Sequence, residues 1–152
     1  MNIVLYQPEI PGNTGNIARL CAATGCQLHL IKPLGFSTDD KHLKRAGLDY
    51  WHLVTVSYYD SFTELEEKYH GHRFLLNTTK GNQTHTSVEY RADDLIVFGR
   101  ETAGLPAEIM TKYSDNLIRI PMIEESRSLN LSNSVSIVAY EALRPLNYPG
   151  MR

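Results

Sequence analysis

Four polar segments of the chain could carry chemistry, and each sits beside a run of apolar residues. The longest, IRIPMIEESRSLNLSNSVSIVAYEAL over 118–143, starts as the end of a buried strand, leaves it at Pro121 and finishes as a helix. Between lies a loop with Ser126, Ser128 and Asn130, followed by Ser132, Asn133 and Ser134. A strand that runs through a polar loop into a helix is where α/β proteins hold small ligands. The density of hydroxyl and amide groups exceeds what one helix cap needs, although loop and cap duty alone is the plain reading.

The second segment, FGRETAGLP over 98–106, follows a buried strand directly. Gly99 at the strand end permits a close backbone approach by a ligand. Glu101 either holds a ribose hydroxyl or supports a neighbouring loop. The third, PGNTGNIAR over 11–19, follows the first strand and opens a helix, so its backbone N–H groups could meet an anion. Asn16 and Arg19 lie three apart, on the face opposite Ile17 and Leu20/Cys21. Neither G-x-G-x-x-G nor Gly-Lys-Ser/Thr is present, which argues against dinucleotide and phosphate-loop readings. The fourth, NTTKG over 77–81, ends a strand and turns. Its backbone groups could line a pocket beside the second segment and the long loop.

The elements that must position these segments alternate along the chain. Strands are expected at 2–6, 28–31, 53–56, 74–77, 95–98 and 117–120. The last two are continuous apolar runs, which suits strands covered on both faces. Helices are expected at 13–24, stopped by Gly25; at 61–69, opened by a Ser61-x-x-Glu64 capping pattern; at 106–113; and in the C-terminal stretch, where Leu131, Val135, Val138 and Ala142 form one stripe. The alternation predicts a single α/β domain over 1–152 with a mostly parallel sheet flanked by helices. Ser132, Ser136, Ala139 and Leu143 form a stripe of small residues, suited either to a homodimer contact or to packing within one chain.

Composition bounds the rest. The chain has 152 residues, 42% of them hydrophobic, and a formal net charge of −2. Its isoelectric point of about 6.3 gives no global basic footprint for nucleic acid. One local basic group exists: Lys41, His42, Lys44 and Arg45. No run approaches the roughly 20 apolar residues of a membrane span, and the start has no basic n-region, so a cytoplasmic protein is expected. Cys21 and Cys26 read as buried thiols rather than a disulfide or metal pair. His70-Gly71-His72 lacks further ligand spacing, so no metal is expected.

Taken together, NTGNIAR (13–19), FGRETAGLP (98–106) and IPM…SRSLNLSNSVSIVAYEALR (120–144) resemble the trefoil-knotted SPOUT superfamily of RNA methyltransferases. With NIVLYQPEIPGNTGNIARLCAATG, GFSTDDKHLKRAGLDY and TTKG, the likeness extends over nearly the whole chain to the small TrmL type, which methylates the ribose of the wobble nucleotide of tRNA. The resemblance implies a deep C-terminal trefoil knot, a homodimer with the site at its interface, and S-adenosylmethionine bound in the knot. It places the cofactor against Asn77, Thr78, Gly99, Glu101, Gly104, Ile120, Met122, Ser128, Leu129 and Asn130, many of them through backbone groups. Ile120, Met122 and Leu129 would supply an apolar slot for adenine. Asn77 departs from the pattern, because an apolar residue is common there.

The implied reaction moves a methyl group from a sulfonium to a ribose 2′-hydroxyl of cytidine or uridine, and alignment supplies much of the rate. The resemblance makes Arg19 the base, approaching from the partner subunit, with Ser128 and Asn130 orienting cofactor or ribose. A guanidinium ordinarily keeps its proton, so Arg19 is either deprotonated by a special site or holds the adjacent phosphate and stabilises the forming alkoxide; energetics favour the second. Arg127 and the Lys41/Lys44/Arg45 group are candidates for phosphates of the tRNA anticodon stem-loop. Rival readings are a related methyltransferase acting on another tRNA or rRNA ribose, and a catalytically silent RNA-binding relative.

Overall fold

The apolar runs assemble into one parallel sheet because most are hydrophobic at every position and can be covered on both faces. The computed structural model describes residues 1–37 and 52–152. In chain order the elements are β1 (Asn2–Tyr6), α1 (Pro11–Thr24), β2 (Gln27–Ile31), β3 (Val56–Tyr59), α2 (Phe62–Lys68), β4 (Phe74–Asn77), β5 (Gln83–Thr84), β6 (Leu95–Phe98), α3 (Ala107–Lys112), β7 (Leu117–Arg119) and α4 (Leu131–Leu143). The seven strands lie in the order β3-β2-β1-β6-β4-β7-β5, every neighbouring pair parallel. Thus β6 is inserted between β1 and β4, and β7 between β4 and β5.

Strand alternation splits the core into two layers. Ile3, Leu5, Leu28, Leu30, Leu75, Ile96, Phe98 and Ile118 join Ile17 and Cys21 of α1 and Val135, Val138 and Ala142 of α4. Val4, Ile31, Phe74, Leu76, Leu95 and Val97 join Phe62 and Leu65 of α2 and Ile109 of α3. Pro11 opens α1, where its missing N–H costs nothing, and Gly25 closes it at φ 72°. The expected stripe of Leu131, Val135, Val138 and Ala142 is buried. Asn16 and Arg19 are exposed on α1, opposite buried Ile17 and Cys21. Both cysteines are free and buried.

Two expectations change, and one open alternative closes. The third strand is Val56–Tyr59, not 53–56. The stretch LVTVSYY is β-prone throughout, and pairing of Val56 with Leu28 sets the register, leaving Leu53 60% exposed. The two-residue β5 was missed because Gln83 and Thr84 carry no apolar signal. Finally, the small-residue stripe turns inward: Ser132, Ala139 and Leu143 are buried in their own chain. The outward line of α4 is Asn133, Ile137, Tyr140 and Arg144. The basic group Lys41, His42, Lys44 and Arg45 lies outside the described residues. Among the described residues, no helix is long and apolar enough to cross a membrane.

Candidate functional site

Loops leaving the C-terminal ends of β1, β4, β6 and β7 converge on a cavity of about 640 Å³, within the roughly 300–1,000 Å³ typical of small-molecule sites. Asn77 and Thr78 enter it from β4; Gly99, Glu101 and Gly104 from the loop after β6; and Ile120, Met122, Ser128, Leu129 and Asn130 from the segment between β7 and α4. Every residue expected at a cofactor therefore lines one cavity. Arg19 does not line it. It lies six residues, about 9 Å, along α1 from Asn13, which does.

A polar clamp holds three of these loops together. The Glu101 carboxylate accepts from Glu9 N (2.8 Å), Ile10 N (3.1 Å) and Asn13 Nδ2 (3.1 Å). Glu9 reciprocates, accepting from Thr102 N (3.0 Å) and Thr102 Oγ1 (2.9 Å). Those bonds, led by the backbone one, lower the Glu9 pKa below the usual carboxylate value. Asn13 Oδ1 then accepts from Asn130 Nδ2 at 3.0 Å. Asn130 Oδ1 caps α4, accepting from Ser132 N (2.9 Å) and Asn133 N (3.3 Å). Of the two roles open to Glu101, the carboxylate is seen supporting the β1–α1 loop, and the Asn130 amide is committed to the α4 cap and to Asn13.

Gly99 also meets a need within its own loop. A Cβ there would strike the backbone of Gly104 and Leu105, because Arg100 and Gly104 exchange backbone hydrogen bonds (3.1 and 3.0 Å) and fold the loop back on its strand. Gly81 is likewise pressed against the Ile118 and Arg119 backbone, while Thr78 N donates to Ile118 O at 2.9 Å. These close contacts fix the 77–81 turn beside β7.

Between the loops, Ile120, Met122, Leu129, Phe98 and Leu131 give apolar walls, and Lys80, Arg100 and Arg127 add cations. The Arg100 guanidinium lies over the Tyr6 ring, 5.6 Å from its centroid. Thr78 Oγ1 donates to Met110 Sδ at 3.8 Å. Three buried side-chain polar atoms have no partner among the described residues: Thr14 Oγ1, Asn77 Oδ1 and His85 Nδ1. Only that of Asn77 belongs to a residue lining the cavity. Apolar walls, loop backbone groups and an unpartnered amide acceptor fit a cofactor with a flat heteroaromatic ring.

A model of the SpoU rRNA Methylase family matches residues 1–140. The chain belongs to this family. A Yersinia pestis protein named tRNA (cytidine(34)-2'-O)-methyltransferase is 54% identical over 156 residues, covering 99% of this chain and 96% of that one. A solved structure described by the 2-OH methylation of C/U34 on tRNA has a TM-score of 0.92 at 44% identity, covering 96% of this chain and 95% of that one. The SpoU methyltransferase AviRb from Streptomyces viridochromogenes, solved with AdoMet, shares the fold at TM-score 0.84 and 23% identity, covering 100% of this chain and 59% of that one.

Sequence reading missed Asn13, Lys80, Arg100 and Met110 as cavity residues. Asn13 read only as part of the segment that opens the first helix; its link to Glu101 spans 88 residues, and no local signal reports that. Lys80 and Arg100 sat inside segments already singled out, and their polar placement beside Thr78 and Gly99 was the available hint.

Proposed function

We propose that this SpoU-family chain transfers a methyl group from S-adenosylmethionine to the ribose 2′-hydroxyl of the wobble nucleotide of tRNA, cytidine or modified uridine, acting as a cytoplasmic homodimer. The observation that carries the reading is the convergence of 77–80, 99–104 and 120–130 on one cavity. Family membership and the name of the Yersinia pestis relative supply the reaction and the nucleotide. The insertion of β6 and β7 between earlier strands is in keeping with the trefoil knot expected of the fold.

S-adenosylmethionine, when bound, supplies an electrophilic methyl group on a sulfonium. The chain must hold it, align the hydroxyl and accept the developing charge. Ile120, Met122 and Leu129 form the apolar slot, and the backbone groups of Thr78, Gly99, Gly104 and Ser128 are the polar frame. Glu101, Asn13 and Asn130 keep that frame closed through the clamp. Ser128 is exposed beside the cavity and is placed to orient cofactor or ribose.

Arg19 acts from the second subunit, because it stands outside the cavity of its own chain. The α1–α4 layer that carries Arg19 also presents Ile137 at 40% and Tyr140 at 46% exposure, and the Tyr140 and Tyr148 rings lie with centroids 6.4 Å apart. Those two rings are tilted by 50° rather than stacked, and this exposed apolar ground suits a second copy. A guanidinium best serves by binding the phosphate beside the target ribose and stabilising the forming alkoxide. Lys80, Arg100 and Arg127 are the cavity-side cations for the anticodon stem-loop.

The test is transfer of labelled methyl from S-adenosylmethionine to tRNA lacking the mark, with nuclease mapping of the product. A 2′-O-methyl at the wobble ribose is expected, with Arg19→Ala reducing the rate by about 10²-fold or more. Near-normal activity in Arg19→Lys would remove the specific guanidinium role. Cofactor binding without transfer to any tRNA would assign the protein to another RNA ribose or to the silent relatives.

A further inference from the structure

We propose that the side-chain amide of Asn77 reads the adenine edge of the bound cofactor. The inference rests on the S-adenosylmethionine reading above and adds a side-chain contact to it. Asn77 ends β4, in register with Phe98 of β6 on one side and Ile118 of β7 on the other. Both neighbours are buried and apolar. Alternation along β4 puts Asn77 on the same face as Leu75, toward the layer formed with α1 and α4. An aliphatic side chain would pack there at no polar cost.

The amide oxygen nevertheless sits buried without a hydrogen-bond partner among the described residues. Leaving such an acceptor unmet costs roughly 1–3 kcal/mol, and native proteins keep few of them. The location supplies the reason: Asn77 lines the cavity together with Phe98, Leu131 and Ser134. Its register neighbour Phe98 and the slot of Ile120, Met122 and Leu129 line the same cavity, apolar ground that favours a flat ring over the charged methionyl tail. A carboxamide carries a donor and an acceptor in one plane. Adenine presents its amine donor next to a ring-nitrogen acceptor, and the two match as a bidentate pair. Rotation about the last torsion exchanges the amide oxygen and nitrogen, so the ring selects the orientation it needs.

The experiment measures calorimetric affinities of wild type, Asn77→Leu and Asn77→Asp for two ligands. One is S-adenosylhomocysteine; the other is its analogue with hydrogen in place of the purine 6-amino group. Wild type is expected to prefer the amine-bearing ligand. In Asn77→Leu that preference falls by about five- to tenfold, mainly through weaker binding of S-adenosylhomocysteine. Asn77→Asp, which keeps an acceptor, retains most of it. Thermal melts confirm folding, and Asn77→Leu is expected to melt no lower than wild type. An unchanged preference in Asn77→Leu overturns the inference while leaving the cofactor reading intact. Equal weakening for both ligands also overturns it. Failure of wild type to bind S-adenosylhomocysteine overturns both.

Discussion

Two regions of the same sheet treat buried polar groups in opposite ways. Under β1, β2 and β3 the network is closed. His29 is fully buried, with Nδ1 3.1 Å from the Tyr59 hydroxyl and Nε2 3.1 Å from Asn2 Oδ1. Asn2 Nδ2 donates to the carbonyls of Asp93 and Asp94, which fixes its oxygen toward His29. Lys68 Nζ donates to the Tyr59 hydroxyl, which in turn donates to Nδ1. Neutral His29 with its proton on Nε2 satisfies every member. Burial, with Lys68 next, lowers its pKa to about 4. Across the sheet, Asn77 has a buried oxygen without a partner among the described residues, at the wall of the cavity. Closed networks fix a strand arrangement; an open acceptor beside a cavity is suited to a ligand.

The strongest way to break this contrast is to open the clamp. Glu101→Ala releases the Glu9 and Ile10 amides and the Asn13 side chain at once. We expect S-adenosylhomocysteine affinity to fall by about 100-fold and stability by about 2–3 kcal/mol, read by calorimetry and urea melts. Unaltered ligand binding would show that the loops hold their shape without Glu101.

Next comes the closed side. His29→Leu strands Asn2 Oδ1 and the Tyr59 hydroxyl, and should cost about 3 kcal/mol at neutral pH while leaving the ligand affinity of the folded fraction unchanged. Titration sharpens the point. Between about pH 6.5 and 4 the unfolded chain binds a proton at His29 that the folded chain refuses. Stability therefore falls as pH drops through that window, by about 3 kcal/mol in all from this group, and the loss is complete below about pH 4. His29→Leu should flatten that part of the profile; an unchanged slope would place the titration elsewhere.

The smallest effects concern the cavity-side cations. Lys80→Ala and Arg127→Ala should each reduce the salt dependence of tRNA binding by about one unit of logarithmic slope, with cofactor affinity preserved. A slope equal to that of wild type would remove the residue from the RNA interface.

Much of this contrast was legible in the sequence, and the limits have physical causes. LIVF announced a strand covered on both faces and NIVLY a first strand, whereas the same expectation for 117–120 fails because β7 ends at Arg119, which is exposed. The matching blocks at 98–106 and 120–144, with NTTKG at 77–81, located the residues expected at the cofactor. What was hidden depends on contacts between distant segments. Gly99 read as room for a ligand; it lines the cavity, and the further need for glycine, set by contact with Gly104, was not visible. The Ser132, Ala139 and Leu143 stripe suited a partner or its own chain equally, because small residues suit a tight contact of either kind, and its own chain covers it. Residues 53–59 offered two equally β-prone registers, and only pairing with β2 chose between them.

The most direct measurement is amide hydrogen exchange of the wild-type protein with and without S-adenosylhomocysteine. Slower exchange on ligand addition is predicted in 77–80, 99–104 and 120–130, with 27–31 and 56–59 unchanged. Protection centred on 27–31 and 56–59, or none in the three loops at saturating ligand, would contradict the assignment of the cavity.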